Sequence, residues 1–295
     1  MKTGKHTVTA LTREQSKAKF ADGLLVVRVN YDDESSIIKA LKGQQFLVTT
    51  LSVKAPKDLG NRIYSAAKKA GVPYILPNGF GYPIDDDLTK AQPTGSYGES
   101  VRQAALQAQG ATTSWFILAC GFWYEWSLAC GETFFGFTIK DRKVTFFDDG
   151  KRLITVSTWD QCGRALAALL SLPESGASPS LADFRNKNVA VYSFQVSQRG
   201  MLNSLHRVLG TTDADWEIKY EPLDKWIPEG RAELANGVRS GFGKILYGDV
   251  FLPTNPASDY GTRPTANAAL GLSEEDVDSA TKRTVDMVES GWTPF

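Results

Sequence analysis

Five short strand-like runs, at residues 8–11, 23–29, 46–51, 72–77 and 114–119, alternate with helical patterns at 33–41, 59–70 and 100–109. Most of these runs are continuous apolar stretches such as Leu24-Leu25-Val26-Val27 and Phe116-Ile117-Leu118, which need cover on both faces. Strand, helix, strand at this spacing predicts an α/β fold built on a doubly wound parallel sheet. Asp33 before the first helix and Gly43 and Gly71 behind the first two supply start and stop signals. Ligands of such sheets sit beyond the carboxyl ends of the strands, near the point where strand order reverses. That rule brings together Thr12 and Arg13, Asn30 and Tyr31, Thr50, Leu51 and Ser52, and Asn78, Gly79, Phe80 and Gly81.

The rest of the chain is less regular. Residues 137–156 read as a hairpin-like pair around Asp148-Asp149-Gly150, 159–172 as a helix, 174–180 as a loop, 189–194 as a strand and 198–209 as a helix. From Trp216 onward the pattern is helices with loops, the last helix ending at Glu289 and opened by a Ser273/Asp276 capping pair. Residues 1–5 read as the end of a helix stopped at Gly4.

A length of 295 residues with 42% hydrophobic content allows one large or two modest cores. The formal net charge is zero, so there is no overall basic field to attract nucleic acid or an anionic membrane surface. No signal pattern and no run of 18 apolar residues is present, and a cytoplasmic location is expected. Cys120, Cys130 and Cys162 lie in apolar stretches and read as buried reduced thiols. His6 and His206 have no zinc-type spacing to them, so no metal is expected.

Arg13, at a strand end, suits the 2′-phosphate of NADP, because a guanidinium offers phosphate two parallel hydrogen bonds; an acidic residue there would suit NAD. Tyr64 and Lys68 spell the Tyr-x-x-x-Lys pair of short-chain dehydrogenases, but on a helix before the fourth strand instead of after it, and are read as structural. Gly241-Phe-Gly243 reads as a turn, since no strand leads into it. Phe122, Trp123, Tyr124 and Trp126 crowd together just past the fifth strand, either as core or as the wall of a pocket for a flat or apolar ligand with Glu125 as polar anchor. The two histidines stand far from any nucleophile pattern, so no Ser-His-Asp or Cys-His site is supported.

The segments HTVTALTR, VNYDD, SSIIKALKGQQFLVTTL, AAKKAGVPYILPNGFG, VRQAALQAQG, TSWFILACGFWYE and LGLSEEDVDSATKRTVDMVESGW together resemble the NmrA-like and isoflavone-reductase-like branch of the atypical short-chain dehydrogenases, in its fungal form. The resemblance implies a Rossmann domain that binds NADP(H) over residues 1–121, with 155–210 contributing a strand and helices. A smaller substrate subdomain would take 122–154 and 211–295. Thr12 and Arg13 would face the adenosine phosphate, Asn30 and Tyr31 the adenine, Thr50, Leu51 and Ser52 the middle of the cofactor, and Pro77, Asn78, Gly79, Phe80 and Gly81 the nicotinamide side.

Two departures accompany it. The family opens with a strand and a Gly-x-x-Gly-x-x-Gly turn that hold the pyrophosphate, and this sequence starts after them. A central strand of about five buried side chains is worth roughly 10 kcal/mol, so the expectation is a poorly folded or rearranged chain whose Met1 is an internal methionine, with cofactor binding weakened or lost. The family's reductases also carry a lysine three residues before the valine of the Val-Arg helix, where Gly98 stands; Lys90 and Tyr97 are the substitutes nearby. Three readings follow. One is an NADP(H)-dependent oxidoreductase for a small aromatic or conjugated substrate; another is a non-catalytic NADP-sensing regulator with a protein partner; the third is a truncated chain that binds no dinucleotide.

Overall fold

The structure, a computed structural model, describes residues 4–52, 54–90 and 95–293. Met1–Thr3, part of the expected helix end, lie outside them. The chain separates into two compact units. The first comprises Met1–Phe80, Ile84–Leu118 and Leu166–Val189, and the second Gly81–Pro83, Ala119–Ala165 and Ala190–Phe295.

The first unit is laid down as β1 (Thr9–Arg13), β2 (Leu25–Val29), α1 (Glu34–Leu41), β3 (Phe46–Val48), α2 (Leu59–Ala70), β4 (Tyr74–Leu76), α3 (Gly95–Ala108) and β5 (Ser114–Ala119). Three of the four boundaries of α1 and α2 follow local chemistry. The Asp33 side chain accepts the Ser35 N–H at 2.9 Å, and Gly43 follows in the left-handed region at φ 77°. Gly71 closes α2 at φ 79°, a conformation cheap only for glycine. β3, β4 and β5 pair in parallel, as the continuous apolar runs require, and Ile37, Leu41, Leu47, Ile63, Ile75, Val101 and Ile117 share one buried cluster.

β1 and β2 pair with each other in parallel as a separate two-stranded sheet, with Thr12 opposite Arg28 and Arg13 opposite Val29. β1 is not hydrogen-bonded to β3. Leu25, Val26 and Val27 of β2 stay exposed, against the expectation that both faces of every strand are covered.

The chain continues through β6 (Phe122–Trp123), α4 (Tyr124–Ala129), β7 (Phe137–Thr138), β8 (Lys143–Phe147), β9 (Ile154–Ser157), α5 (Trp159–Leu170), α6 (Leu181–Phe184), β10 (Lys187–Ala190), β11 (Phe194–Val196), α7 (Gln198–Leu209), β12 (Glu217–Glu221), α8 (Leu223–Ala235), α9 (Ser240–Phe251) and α10 (Val277–Glu289). β10 flanks β5 in the four-stranded sheet β10-β5-β4-β3, and two three-stranded sheets, β11-β9-β6 and β12-β8-β7, belong to the second unit.

Five local expectations change. The hairpin around residues 148–150 does not form, because β8 and β9 enter different sheets: Asp148 takes a left-handed φ of 50° and its N–H reaches the Glu221 carbonyl at 3.0 Å, turning the chain onto β12. The strand expected at 189–194 is two strands, since Val191 and Ser193 donate to Ala119 and Val156 and switch the backbone between sheets. Residues 217–221 form a strand parallel to β8, steadied by Lys143 and Lys219 on Glu217 at 3.1 and 2.7 Å. Gly241 and Gly243 lie in α9, not in a turn: Gly241 lets α9 close on α8, and Gly243 lies against Thr133. Asp276, not Ser273, caps α10 by accepting the Ser279 N–H at 2.7 Å.

Candidate functional site

The carboxyl ends of β1 to β4 carry the candidate residues of the first unit. Arg13 leaves β1 exposed, and no carboxylate pairs with it among the described residues. Its charge reaches Tyr31: burial pushes the Tyr31 phenol above its ordinary range, and the Arg13 guanidinium pulls it back. The loop after β1 is fixed from the neighbouring strand, where Arg28 Nη1 donates to the carbonyls of Arg13, Glu14 and Ser16 at 3.4, 2.9 and 2.9 Å. The loop after β2 is fixed from α2. Arg62 Nη1 donates to the Tyr31 carbonyl at 2.9 Å and to Asp32 Oδ1 at 2.7 Å, and its Nε lies 2.9 Å from Asp58. Asn30 turns its own loop by accepting the Asp32 N–H at 3.0 Å.

A second pair of strand ends is joined by direct bonds. Asn78 Nδ2 donates to the Leu51 carbonyl at 3.1 Å, so the loops after β3 and β4 hold each other. Beneath them Thr49 Oγ1 donates to the Leu76 carbonyl at 3.0 Å and lies 3.1 Å from the Tyr64 hydroxyl, which also accepts the Asn78 N–H at 3.4 Å. Tyr64 is buried, and burial raises its phenol above the ordinary range. The turn beyond Pro77 is tight: the Gly79 N–H returns to the Pro77 carbonyl at 2.7 Å, and a Cβ at Gly79 would stand 2.7 Å from Val101 Cγ1. Only glycine fits there, so the backbone of the turn lies directly on α3. Thr12 and Phe80 are half-buried, and Thr50 and Ser52 are exposed. Gly81 belongs to the second unit, where its carbonyl accepts the N–H groups of Cys120 and Gly121 at 2.9 and 3.0 Å.

Gly98 is buried in α3 one turn before Val101, on the helix face that meets Gly79. Lys90 is exposed, with its ammonium 3.8 Å from Asp85 and 3.7 Å from Asp87. Tyr97 packs its ring against the core cluster of the first unit.

In the second unit the aromatic run is built into packing. Phe122 stacks on Tyr247 with ring centroids 3.8 Å apart, and Trp126 meets Phe134 edge-on at 5.1 Å. The Tyr124 hydroxyl lies 2.7 Å from Thr281 Oγ1, and burial drives its phenol far above the ordinary range. Glu125, 3% exposed, accepts from Arg283 at 2.9 Å and from the Trp159 N–H at 3.2 Å. Trp123 alone of the five turns a large surface outward, at 39% exposure. A cleft of about 150 Å³ elsewhere in this unit is lined by Glu132, Lys143, Thr145, Glu217 and Lys219, and Glu217 already engages both of its lysines.

Sequence reasoning missed Arg28, Arg62 and Thr49, which hold the strand-end loops in place. Arg62 carried a readable signal in its (i, i+4) spacing from Asp58. Arg28 did not, since its role follows from the register of β2 against β1.

Comparison with known proteins bears on the fold and on the first 126 residues. Residues 1–126 match the NAD(P)H-binding family model. The chain is 25% identical over 283 residues to the oxidoreductase aprR of Aspergillus flavus, covering 92% of this chain and 88% of that one. Among solved structures, an isoflavone reductase superposes with a TM-score of 0.69 at 18% identity, over 96% of this chain and 92% of its own. AtPrR2, solved with NADP+ and (+)-pinoresinol, superposes with a TM-score of 0.71 at 16% identity over the same shares. Residues 1–126 are thus similar to the NAD(P)H-binding family, and the chain shares the α/β fold of the isoflavone reductase and of AtPrR2.

Proposed function

We propose that this protein is an NADP(H)-dependent oxidoreductase of the isoflavone-reductase-like type, acting on a small aromatic or conjugated substrate. The observation that carries the reading is Arg13, an exposed guanidinium with no carboxylate partner among the described residues, beside Tyr31 at the ends of two paired parallel strands. These residues fit the adenosine end of NADP(H): Arg13 for the 2′-phosphate and Asn30 with Tyr31 for the adenine. Thr50, Leu51 and Ser52 would follow its middle. Pro77, Asn78, Gly79, Phe80 and Gly81 would follow the nicotinamide side, where the tight Gly79 turn brings backbone close to a flat ring. When bound, the cofactor supplies a hydride from the nicotinamide, and the protein supplies orientation and exclusion of water. Trp123, with its outward ring, is the member of the aromatic run best placed to meet an apolar substrate. The structure of AtPrR2 with NADP+ and (+)-pinoresinol supports an aromatic small-molecule substrate.

A second reading, a non-catalytic NADP-sensing regulator that acts through a protein partner, is favoured by Gly98 standing where the reductases carry lysine. Lys90, already flanked by Asp85 and Asp87, is a poor replacement. NADPH oxidation against a panel of aromatic ketones and enones separates the two. Turnover by the natural chain supports the enzyme. Binding of NADPH without turnover, in the natural chain and in Gly98→Lys alike, supports the regulator.

A further inference from the structure

We propose that Cys120 and Cys162 form an oxidation-sensitive dithiol, a modification site at which a peroxide links the pair as a disulfide. All three cysteines are free thiols, but they are differently placed. Cys120, directly after β5, is wholly buried, and its thiol lies beside that of Cys162 in the first turn of α5. Burial and that contact together hold the Cys120 proton in place. Cys162 is partly exposed, so a small oxidant can reach one sulfur of the pair and not the other.

The backbone keeps the two sulfurs together. The Cys120 N–H donates to Gly81 at 2.9 Å and the Cys162 N–H to Thr158 at 3.1 Å. Between those anchors, β6 and β9 pair in parallel with Phe122 opposite Val156 and Trp123 opposite Ser157. That ladder ties together the two segments that carry the thiols. Cys130 offers a control within the chain: burial pushes its thiol up to about 12, and no second sulfur stands beside it among the described residues.

The chemistry balances with hydrogen peroxide as the oxidant. The Cys162 sulfur attacks one peroxide oxygen, giving a sulfenic acid and releasing water. The Cys120 sulfur then attacks the sulfenic sulfur, the S–S bond forms, and the hydroxyl leaves with the Cys120 proton as a second water. The two thiols lose two electrons and the O–O bond gains them.

The test exposes the folded protein to a small excess of hydrogen peroxide, quenches it and counts thiols after denaturation. The count is expected to fall from three to one. Peptide mapping is expected to find Cys120 joined to Cys162 with the loss of two hydrogens, reversed by dithiothreitol. Cys162→Ser, at a partly exposed site that tolerates the change, is expected to keep both remaining thiols under the same treatment. Cys130→Ser is expected to lose both of its own. An unchanged count in the natural protein, a disulfide that contains Cys130, or oxidation of Cys162 to a sulfinic acid without linkage to Cys120 would each overturn the proposal.

Discussion

Gly79 shows how closely single residues set the candidate site. Its missing side chain lets the turn after β4 rest on Val101, whose Cγ1 would lie 2.7 Å from a Cβ. Gly79→Ala is therefore expected to cost about 1–3 kcal/mol, the range for forcing one methyl into a packed core. Val101→Ala in the same chain is expected to return part of that loss, a coupling read by denaturant melts of the two single variants and the double variant. The placement of Arg13 and Asn78 at or just past strand ends was legible from the strand pattern alone. The bonds that aim them were not. Asn78 on Leu51, and Arg28 on three carbonyls, depend on loop shapes that residue order does not encode locally. The aromatic run 122–126 left core and pocket open at the sequence level, since hydrophobicity says that a ring is sheltered but not by what. Tyr247, more than a hundred positions away, is what shelters Phe122.

At the scale of elements, the well-read helices were those with strong ends. α1 and α2 were bounded by Asp33, Gly43 and Gly71, and α7 matched its expected limits because hydrophobic spacing and Gly210 agree on them. α9 was hidden by its own glycines. Gly241 rests directly on the Gly230 carbonyl of α8, and a Cβ at Gly230 would meet Lys244 Cβ at 2.7 Å. Glycine here trades helix propensity, about 1 kcal/mol against alanine in isolation, for helix-to-helix contact. Gly241→Ala is expected to lower stability in spite of its better propensity, and a rise in the thermal midpoint would show that α8 and α9 pack otherwise. β12 escaped notice for a related reason: its Glu-Ile-Lys-Tyr-Glu alternation is weakly apolar, and only pairing with β8 makes it a strand.

For the molecule as a whole, parallel β/α order was visible in the first 120 residues, whereas the distribution of the later strands over two further sheets was not. No helix among the described residues is long and apolar enough to cross a membrane. With zero net charge, pH sensitivity comes from particular pairs instead of bulk repulsion. Arg102 holds the Glu99 carboxyl down to about 2, and Arg207 holds Asp278, and His206 holds Asp213, below the usual carboxylate range. Between those folded values and the ordinary range near 4, the unfolded chain binds more protons than the folded one. These contributions are thus fully present above about pH 5 and fade as the pH falls toward about 2. The thermal midpoint is expected to fall steadily across that window; a flat profile would mean that the pairs contribute nothing.

We propose that the strand ends of the first unit bind the 2′-phosphate of NADP(H) through Arg13. Calorimetric titration of the natural chain and of Arg13→Ala with NADPH and with NADH tests it directly. The natural chain is expected to prefer NADPH, and Arg13→Ala to lose roughly tenfold or more in NADPH affinity while NADH is little changed, the signature of one charge-assisted contact worth about 1.5–3 kcal/mol. Equal binding of the two cofactors by the natural chain, or an Arg13→Ala variant that binds NADPH as well as its parent, would contradict it.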